Sequence, residues 1–310
     1  MKTYKKYHGV IPPIITPVDE REDVDEQGFR ALIEHCLASG LHSIFVAGTN
    51  GETMALTQTQ RDRAIRIAAD QCAGRVPVMC GVMDTSTRRV IDNIKRLADL
   101  GGDCAVITSI FYARHTSQSE TIRHFEQIAK ETDIDLVVYN IPPFTGLKLA
   151  PETVLEICKL DKVKAYKDSS GAFGEFLSIL RQLENSEIAV LQGLNPYFST
   201  SMLLGADGIV PAAAPLFPEI YVGAYEAGLN GDIALCKQYD IITAEIGKML
   251  SMSKSITAVN KFAISTLGFT NKRVIAPQDT ISPEEEARVL KQIEKIRQMH
   301  AQLKASVCAE

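Results

Sequence analysis

The chain has 310 residues, of which 45% are hydrophobic and 23% are charged, and its formal net charge is −5. This composition is typical of a folded globular protein and argues against intrinsic disorder. The mild negative charge, without any run of Lys and Arg, gives no electrostatic basis for binding nucleic acid.

Eight short apolar runs, rich in β-branched residues, recur along the chain and predict eight β-strands. The runs are continuously apolar, which is typical of parallel strands that are covered on both faces. The predicted strands cover residues 10–16, 43–47, 76–82, 104–109, 136–141, 163–167, 188–192 and 208–212.

Helical patterns occupy the segments between these runs. In residues 25–39, Phe29, Leu32 and Cys36 fall on one side, and Gly40 follows as a helix-ending residue. The last helix opens at Ser282-Pro283-Glu284-Glu285, which combines an N-cap serine, a proline at N1 and a glutamate at N3. Further helices are predicted at residues 57–72, 87–100, 117–132, 151–160, 173–183, 232–252 and 255–267.

The alternation of strands and helices predicts one α/β domain, a (β/α)8 TIM barrel over residues 1–230. Residues 231–310 are predicted to form a C-terminal helical extension that packs on the barrel. Active sites of such barrels lie at the carboxyl ends of the strands. The residues that follow each predicted strand are therefore the candidates for function.

The second predicted strand is followed by Gly48-Thr49-Asn50-Gly51-Glu52-Thr53. Two glycines bracket two small polar residues, so backbone N–H groups can converge there on an anion such as a carboxylate. The alternative is a tight turn whose polar residues cap the following helix. The motif alone leaves both interpretations open.

Tyr139 and Lys167 lie at the ends of the fifth and sixth strands, with the parity of Val137 and Ala165 respectively. Tyr139 is either a core tyrosine with a satisfied hydroxyl or part of a proton relay. A lysine that points into an apolar barrel mouth loses solvation, so its pKa falls and its neutral amine can form a Schiff base with a carbonyl. The alternative for Lys167 is pairing with Asp168 or simple solvation.

Other kinds of site lack support in the sequence. The seven cysteines are far apart with no C-x-x-C, and the six histidines show no ligand spacing. Nucleotide-binding, zinc-protease and serine-hydrolase motifs are missing as well. We therefore expect neither a metal nor an organic cofactor. Without a signal-like or membrane-spanning apolar run, the sequence predicts a cytoplasmic protein.

Three segments, G-T-N-G-E, Y-N-I-P-P-F-T-G and Y-K-D-S-S-G, together resemble the dihydrodipicolinate synthase / N-acetylneuraminate lyase family. The resemblance runs in order from I-P-P-I-I-T-P at residues 11–17 to G-A-D-G-I-V at residues 205–210. It implies a class I pyruvate aldolase or lyase on a (β/α)8 barrel, usually a homotetramer, whose partners are pyruvate or another 2-oxo acid and an aldehyde.

The resemblance also implies roles for individual residues. Lys167 matches the lysine that forms the imine, and Tyr139 matches the tyrosine that moves protons beside it. Thr49 matches the hydroxyl that links Tyr139 to a tyrosine from a neighbouring subunit, here Tyr112. The pair that holds the pyruvate carboxylate by N–H groups and side chains, together with further substrate-binding positions, corresponds to Thr49, Asn50, Gly48, Gly193 and Val210.

Several departures from the family pattern concern the substrate. Dihydrodipicolinate synthases carry an arginine for the aldehyde's carboxylate where this chain has Phe144, and most members have a Ser or Thr where it has Asn50. Sialate lyases carry an acidic pair at Asn195-Pro196 and a serine at Ala212. The missing arginine argues against synthesis of the lysine precursor, and the other differences from sialate lyases indicate an aldehyde half that is less hydroxylated or differently presented.

The sequence therefore predicts a Schiff-base pyruvate aldolase or lyase that acts on a 2-oxo acid such as a 2-oxo-3-deoxy sugar acid. The alternatives are a dihydrodipicolinate synthase that binds its aldehyde without the arginine, and a dehydratase or hydratase-aldolase that uses the same imine. A non-catalytic sensor of 2-oxo acids is an alternative of another class.

Overall fold

The computed structural model describes residues 4–112 and 117–307, and its centre is one sheet of eight parallel strands. Each strand pairs with the next in the chain from β2 to β8, and β8 pairs with β1. The strands are β1 Gly9–Val10, β2 Ile44–Val46, β3 Val78–Gly81, β4 Cys104–Thr108, β5 Asp135–Asn140, β6 Val163–Asp168, β7 Ala189–Gln192 and β8 Gly208–Ile209.

The sheet closes between β1 and β2, just beyond the end of β1. The amide of Phe45 donates to the Pro12 carbonyl, and the amide of Ile14 donates to the Phe45 carbonyl, both at 2.9 Å. Pro13 and Phe45 also form a parallel bridge. The predicted (β/α)8 TIM barrel is therefore confirmed.

The first and last strands are shorter than the sequence predicts. The prediction of residues 10–16 for the first strand is wrong beyond Val10, because Pro12 and Pro13 have no N–H to donate to a regular ladder. The eighth strand was predicted to reach Ala212 but ends at Ile209, two residues before Pro211. In both places the chain continues along the barrel mouth as irregular backbone.

Helices surround the sheet and continue beyond it. In the described residues they are α1 Glu26–Ala38, α2 Gln58–Cys72, α3 Thr87–Leu100, α4 Gln118–Lys130, α5 Pro142–Thr145, α6 Pro151–Ile157, α7 Phe173–Leu183, α8 Phe198–Leu203, α9 Pro218–Leu229, α10 Ile233–Leu250, α11 Ile256–Ser265 and α12 Pro283–Val307. The predicted capping box before α12 is present, since Ser282 and Glu285 each accept a hydrogen bond from the other's amide.

The apolar side chains form two main clusters. One fills the barrel and contains Phe45, Val106, Tyr139, Leu191 and Val210 among its members. The other lies between the sheet and its helices and has members from Val10 to Leu303, including residues of α10, α11 and α12. The division of the chain at residue 230 stays a prediction.

No helix in the described part of the chain is long and apolar enough to cross a membrane.

Candidate active site

Strand register places the predicted lysine and tyrosine side by side. Tyr139 on β5 is level with Lys167 on β6, and Lys167 is level with Leu191 on β7. Both side chains point into the barrel, because they keep the parity of Val137 and Ala165, which belong to the barrel interior. Each is only 4% exposed. The structure therefore brings together the two residues on which the resemblance depends.

The amine of Lys167 lies among aromatic rings. Its Nζ is 3.9 Å from the ring centroid of Tyr139 and 4.9 Å from that of Phe45. Within residues 4–112 and 117–307 it forms no ion pair, and burial lowers its pKa to about 7. A large fraction of this amine is therefore neutral, and nucleophilic, at physiological pH.

The alternative in which Lys167 pairs with Asp168 is wrong. The Asp168 side chain has the opposite parity, and its carboxylate accepts hydrogen bonds from the Tyr166 hydroxyl, from Asn140 Nδ2 at 3.1 Å and from the amide and hydroxyl of Ser170. These donors satisfy the carboxylate outside the barrel interior. Among the residues that the structure describes, Lys167 has no counter-charge, which is why burial controls its pKa.

The hydroxyl of Tyr139 has two polar neighbours. Burial raises its pKa to about 12, and hydrogen bonds from Ser169 and Thr49 oppose that rise. The phenol therefore stays neutral at physiological pH and keeps a proton to give. Ser169 was not among the sequence candidates, although its place in K-D-S-S-G, two residues beyond the lysine, was a signal.

The segment Gly48–Glu52 forms a tight loop over the barrel. Ala47 and Glu52, at its two ends, have φ angles of 52° and 56°, in the left-handed region. A Cβ on Gly48 would lie 2.8 Å from the Phe45 ring, so only glycine lets the loop pack this closely. In the described part of the chain, the amides of Thr49 and Asn50 donate to no protein acceptor. They remain available to an anion.

The side chain of Asn50 does not match the expectation that it helps to hold the substrate. Its Nδ2 donates to the Pro13 carbonyl at 2.5 Å, and its Oδ1 accepts from Asn260 at 3.1 Å. Both ends of the amide are thus bound to protein. Its backbone N–H remains the group of Asn50 that can contact a ligand.

Gly193 lies close to the lysine, and Val210 belongs to the barrel interior. A Cβ on Gly193 would approach Lys167 Cε to 3.3 Å and the Ser169 hydroxyl to 2.1 Å, so the absence of a side chain makes room for both. Val210 is buried in the barrel-interior cluster with Tyr139, and its amide donates to the Gln192 carbonyl at 2.8 Å. A side chain at position 193 would therefore reduce the space beside Lys167.

Tyr112 stands apart from the other candidates. Its side chain is 97% exposed, and its φ of 71° is strained for a residue with a Cβ. Within the described residues of this one chain it does not join Thr49 and Tyr139. An exposed tyrosine held in a costly conformation is consistent with the expected role across a subunit interface.

A cavity of about 540 Å³ opens beside Thr49 at the barrel mouth. Phe144, on α5, borders it and is 66% exposed. Among the described lining residues the single charged side chain is that of Glu52, which pairs with Lys261. The lining consists of Thr49, Glu52, Thr53, Met54, Ala55, Met83, Thr108, Phe111, Ile141, Phe144, Thr145, Thr257, Ala276, Pro277 and Gln278.

Sequence reasoning missed the contacts that α11 makes with the loop. Asn260 and Lys261 are fully buried and reach Asn50 and Glu52 respectively. The available signal was an Asn-Lys pair inside the apolar pattern of residues 256–264. That pattern indicates burial, but it does not say which distant residues are the partners.

Comparisons with known proteins agree with this geometry. The model of the dihydrodipicolinate synthetase family matches residues 6–296. A 4-hydroxy-tetrahydrodipicolinate synthase of Methanospirillum hungatei is 27% identical over 91% of this chain and 97% of its own length. The corresponding synthase of Phenylobacterium zucineum is 30% identical over 92% and 95%.

Two solved structures share the fold. The dihydrodipicolinate synthase from Bacteroides thetaiotaomicron has a TM-score of 0.89 and 30% identity, covering 94% of this chain and 100% of its own. A prophage protein of the dihydrodipicolinic acid synthase family from E. coli K12, in complex with pyruvate, has a TM-score of 0.89 and 26% identity, covering 94% and 99%.

Proposed function

Because the chain belongs to the dihydrodipicolinate synthetase family, whose members are lyases, we propose that it makes or cleaves a C–C bond through a Schiff base between Lys167 and pyruvate or another 2-oxo acid. The observation that carries this proposal is the buried amine of Lys167, which has a pKa of about 7 and forms no ion pair with any described residue. A metal is not needed in this chemistry, because the protonated imine is the electron sink.

The proposed reaction begins when the neutral amine of Lys167 attacks the ketone carbon of the 2-oxo acid. The carbinolamine takes up a proton, loses water and becomes a protonated imine. In the synthetic direction, loss of a proton from the adjacent carbon gives an enamine, which attacks the aldehyde carbon and forms the new C–C bond. Cleavage reverses these steps and leaves the enamine, which takes up a proton on carbon and becomes the protonated imine again. In both directions water then hydrolyses the protonated imine, releases the product and frees Lys167.

Two groups beside the amine support this sequence. Tyr139 is a neutral phenol that can give a proton to the aldehyde oxygen during synthesis and take it back during cleavage. The free amides of Thr49 and Asn50 can hold the carboxylate of the 2-oxo acid and so orient its ketone toward Lys167.

For the aldehyde half we propose an uncharged, hydroxylated group, as in a 2-oxo-3-deoxy sugar acid. Phe144 borders the cavity at the position where dihydrodipicolinate synthases carry an arginine that binds the carboxylate of the aldehyde. A phenyl ring cannot form that charge-assisted pair. The threonines of the cavity supply hydroxyls that can bind substrate hydroxyls. Pyruvate release from a 2-oxo-3-deoxy sugar acid would support this proposal.

The second candidate is a 4-hydroxy-tetrahydrodipicolinate synthase, which the names of the relatives favour. Incubation with pyruvate and L-aspartate semialdehyde separates the two candidates. Efficient condensation would reject the sugar-acid proposal in favour of the synthase.

The active assembly is proposed to be a homotetramer in which Tyr112 of one subunit completes the relay of Thr49 and Tyr139 in another. The exposure and the strained backbone of Tyr112 support this proposal.

Reduction with borohydride in the presence of pyruvate, followed by peptide mass mapping, tests the Schiff base. We expect a pyruvate adduct on Lys167 and complete loss of that adduct in Lys167→Ala. Lys164→Ala is the matched control, because Lys164 lies on the same strand but is partly exposed and buried less than Lys167, and it should leave trapping unchanged. An adduct that persists in Lys167→Ala would refute the assignment.

A further inference from the structure

Helix α11 contains two adjacent polar residues that are completely buried. Asn260 and Lys261 are both 0% exposed, whereas their neighbours Val259 and Phe262 are ordinary apolar core residues. Burial of an amide or an ammonium group is costly unless the group is paired. The partners of Asn260 and Lys261 therefore indicate which segments of the chain this helix positions.

Asn260 joins two segments at the mouth of the barrel. Its Nδ2 donates to the Ala212 carbonyl at 2.9 Å and to Asn50 Oδ1 at 3.1 Å. Asn50 in turn donates to the Pro13 carbonyl at 2.5 Å. A chain of hydrogen bonds thus connects α11 with the segments that follow β8, β2 and β1.

Lys261 holds the same loop at a second point, two residues further along. It forms an ion pair with Glu52, and both side chains are almost completely excluded from solvent. The other oxygen of Glu52 accepts from the Ile275 amide at 2.9 Å. Glu52 itself has a φ of 56°, so this pairing helps to offset the cost of a left-handed backbone.

Between these two points, Gly51 is held by a residue outside α11. Its carbonyl accepts a hydrogen bond from the Thr16 hydroxyl at 2.8 Å. The loop is therefore restrained at three consecutive residues, Asn50, Gly51 and Glu52. The amides of Thr49 and Asn50 have no acceptor among residues 4–112 and 117–307, and these are the groups proposed to bind the carboxylate of the 2-oxo acid.

We propose that α11 is a positioning element for this carboxylate subsite, with Asn260 and Lys261 acting on the loop through Asn50 and Glu52. The inference rests on the proposed function, since it assigns these residues to binding of the 2-oxo acid. Amides that are fixed before the ligand arrives need no reorganisation when it binds, whereas a loop displaced by about 1 Å can lose on the order of 10²-fold in efficiency. Lys167 lies on β6 and makes no part of this network, so its amine chemistry is expected to be independent of α11.

Asn260→Leu tests the proposal, with Asn93→Leu as the matched control. Asn93 is also a buried asparagine whose Nδ2 donates to a backbone carbonyl and to a side-chain oxygen, those of Val82 and Asp84. It lies on α3, and neither of these two acceptors belongs to the loop of residues 48–52. Both variants lose similar hydrogen bonds, so they separate a general loss of stability from a specific effect on the subsite.

The measurement is the yield of borohydride-trapped adduct as a function of pyruvate concentration, at several pH values. For Asn260→Leu we expect the half-saturating pyruvate concentration to rise by about 10- to 100-fold. The rate of adduct formation at saturating pyruvate and its pH midpoint should stay within about 2-fold and about 0.3 pH units of those of the wild type. Asn93→Leu should leave the half-saturating concentration unchanged.

The double variant Glu52→Gln/Lys261→Met provides a second test. Removal of Lys261 alone leaves a buried, unpaired carboxylate, but the double change removes both charges and so avoids that penalty. We expect the same rise in half-saturating pyruvate concentration, in protein shown to be folded by circular dichroism. This variant also carries the test if Asn260→Leu does not accumulate as folded protein.

The outcomes distinguish this inference from the proposed function. If the wild type forms no adduct, the Schiff base itself is refuted. If the wild type forms the adduct and the folded α11 variants show the wild-type half-saturating concentration, the positioning role alone is refuted. A lower maximal rate without a change in half-saturation would also overturn it, because that result places α11 in the chemistry rather than in carboxylate binding.

Discussion

The reactivity of the Lys167 amine follows from its buried position near the end of β6. Aromatic rings surround Nζ and, in the described part of the chain, no carboxylate pairs with it, so desolvation alone determines its protonation. The neighbouring Asp168 would raise the pKa of the lysine if it faced inward. Strand parity turns Asp168 outward, toward Tyr166 and Asn140.

This arrangement predicts a particular pH dependence. Below about pH 7 the amine of Lys167 is protonated, so the second-order rate constant for imine formation should increase about tenfold per pH unit up to that point and level off above it. Timed mixing with pyruvate, quenched with borohydride at each pH, measures this constant. An increase that continues to pH 10 would show that the lysine has its ordinary pKa.

Phe144 makes a second prediction at the level of one side chain. Phe144→Arg places a guanidinium at the border of the cavity, where it can pair with a carboxylate on the aldehyde. A hydrogen bond to a charged group contributes about 1.5–3 kcal/mol, so kcat/KM for L-aspartate semialdehyde with pyruvate should rise by about 10- to 150-fold.

The control for this change is Phe144→Leu, which removes the ring without adding charge. Its kcat/KM for the semialdehyde should stay near that of the wild type. Equal gains in both variants would mean that added space, and not the new cation, causes the effect.

At the scale of elements, the barrel was predictable because its signals are local. Apolar runs located β3 to β7, and α7 begins and ends at the predicted residues, Phe173 and Leu183. The overlong first strand reflects a different effect, since Pro12 and Pro13 fit the apolar pattern but cannot donate to a ladder. The sequence pattern does not predict α9, because this nearly all-apolar helix lacks the contrast between two faces that identifies a helix.

The residues of the candidate site also differ in whether a local sequence signal predicts their orientation. The parity of Tyr139 and Lys167 along their strands suffices to predict that both point inward, and the structure confirms that orientation. The direction of the Asn50 side chain depends on Asn260, which is 210 positions away in the sequence. No local pattern carries that information. The role expected for the Asn50 side chain therefore had less support in the sequence than the orientation of Tyr139 and Lys167.

The end of β7 provides a prediction about packing between elements. In Gly193→Ala the new Cβ would lie 2.1 Å from the Ser169 hydroxyl and 2.8 Å from the Asp168 carbonyl, so the ends of β6 and β7 must separate. We expect a loss of about 1–3 kcal/mol in the free energy of unfolding, measured with urea. Ser169 should also move away from Tyr139.

Gly174→Ala is the matched control. Gly174 lies within α7, and a Cβ there meets no atom within 4 Å. This change should raise the free energy of unfolding by about 0.5–1 kcal/mol. If Gly193→Ala proved equally stabilising, the close approach of the two strand ends would be refuted.

At the scale of the whole molecule, the open cavity and the exposed Tyr112 are the two features that the proposed homotetramer would explain. Tyr112 contributes little to the core of its own chain, and its strained backbone requires an external reason. The proposed homotetramer supplies that reason, because the hydroxyl would then serve the relay of another subunit.

Tyr112→Phe should therefore bind pyruvate normally and yet lose proton transfer. The adduct on Lys167 should form as in the wild type, while exchange of the pyruvate methyl protons with D2O, followed by NMR, should slow by about 10²-fold. Tyr4→Phe is the control, since Tyr4 is another exposed tyrosine but stacks on His8. Unchanged exchange in Tyr112→Phe would exclude Tyr112 from the relay.

The contact between Asn50 and Asn260 also determines when a newly made chain can first bind a 2-oxo acid with full affinity. A ribosome adds about 5–20 residues per second, so the 210 positions between the two asparagines correspond to roughly 10–40 s of synthesis. During that interval the barrel strands are available to fold, but the loop lacks the helix that restrains it. A translating chain would thus acquire its fold first and its affinity for a 2-oxo acid only near the end of synthesis.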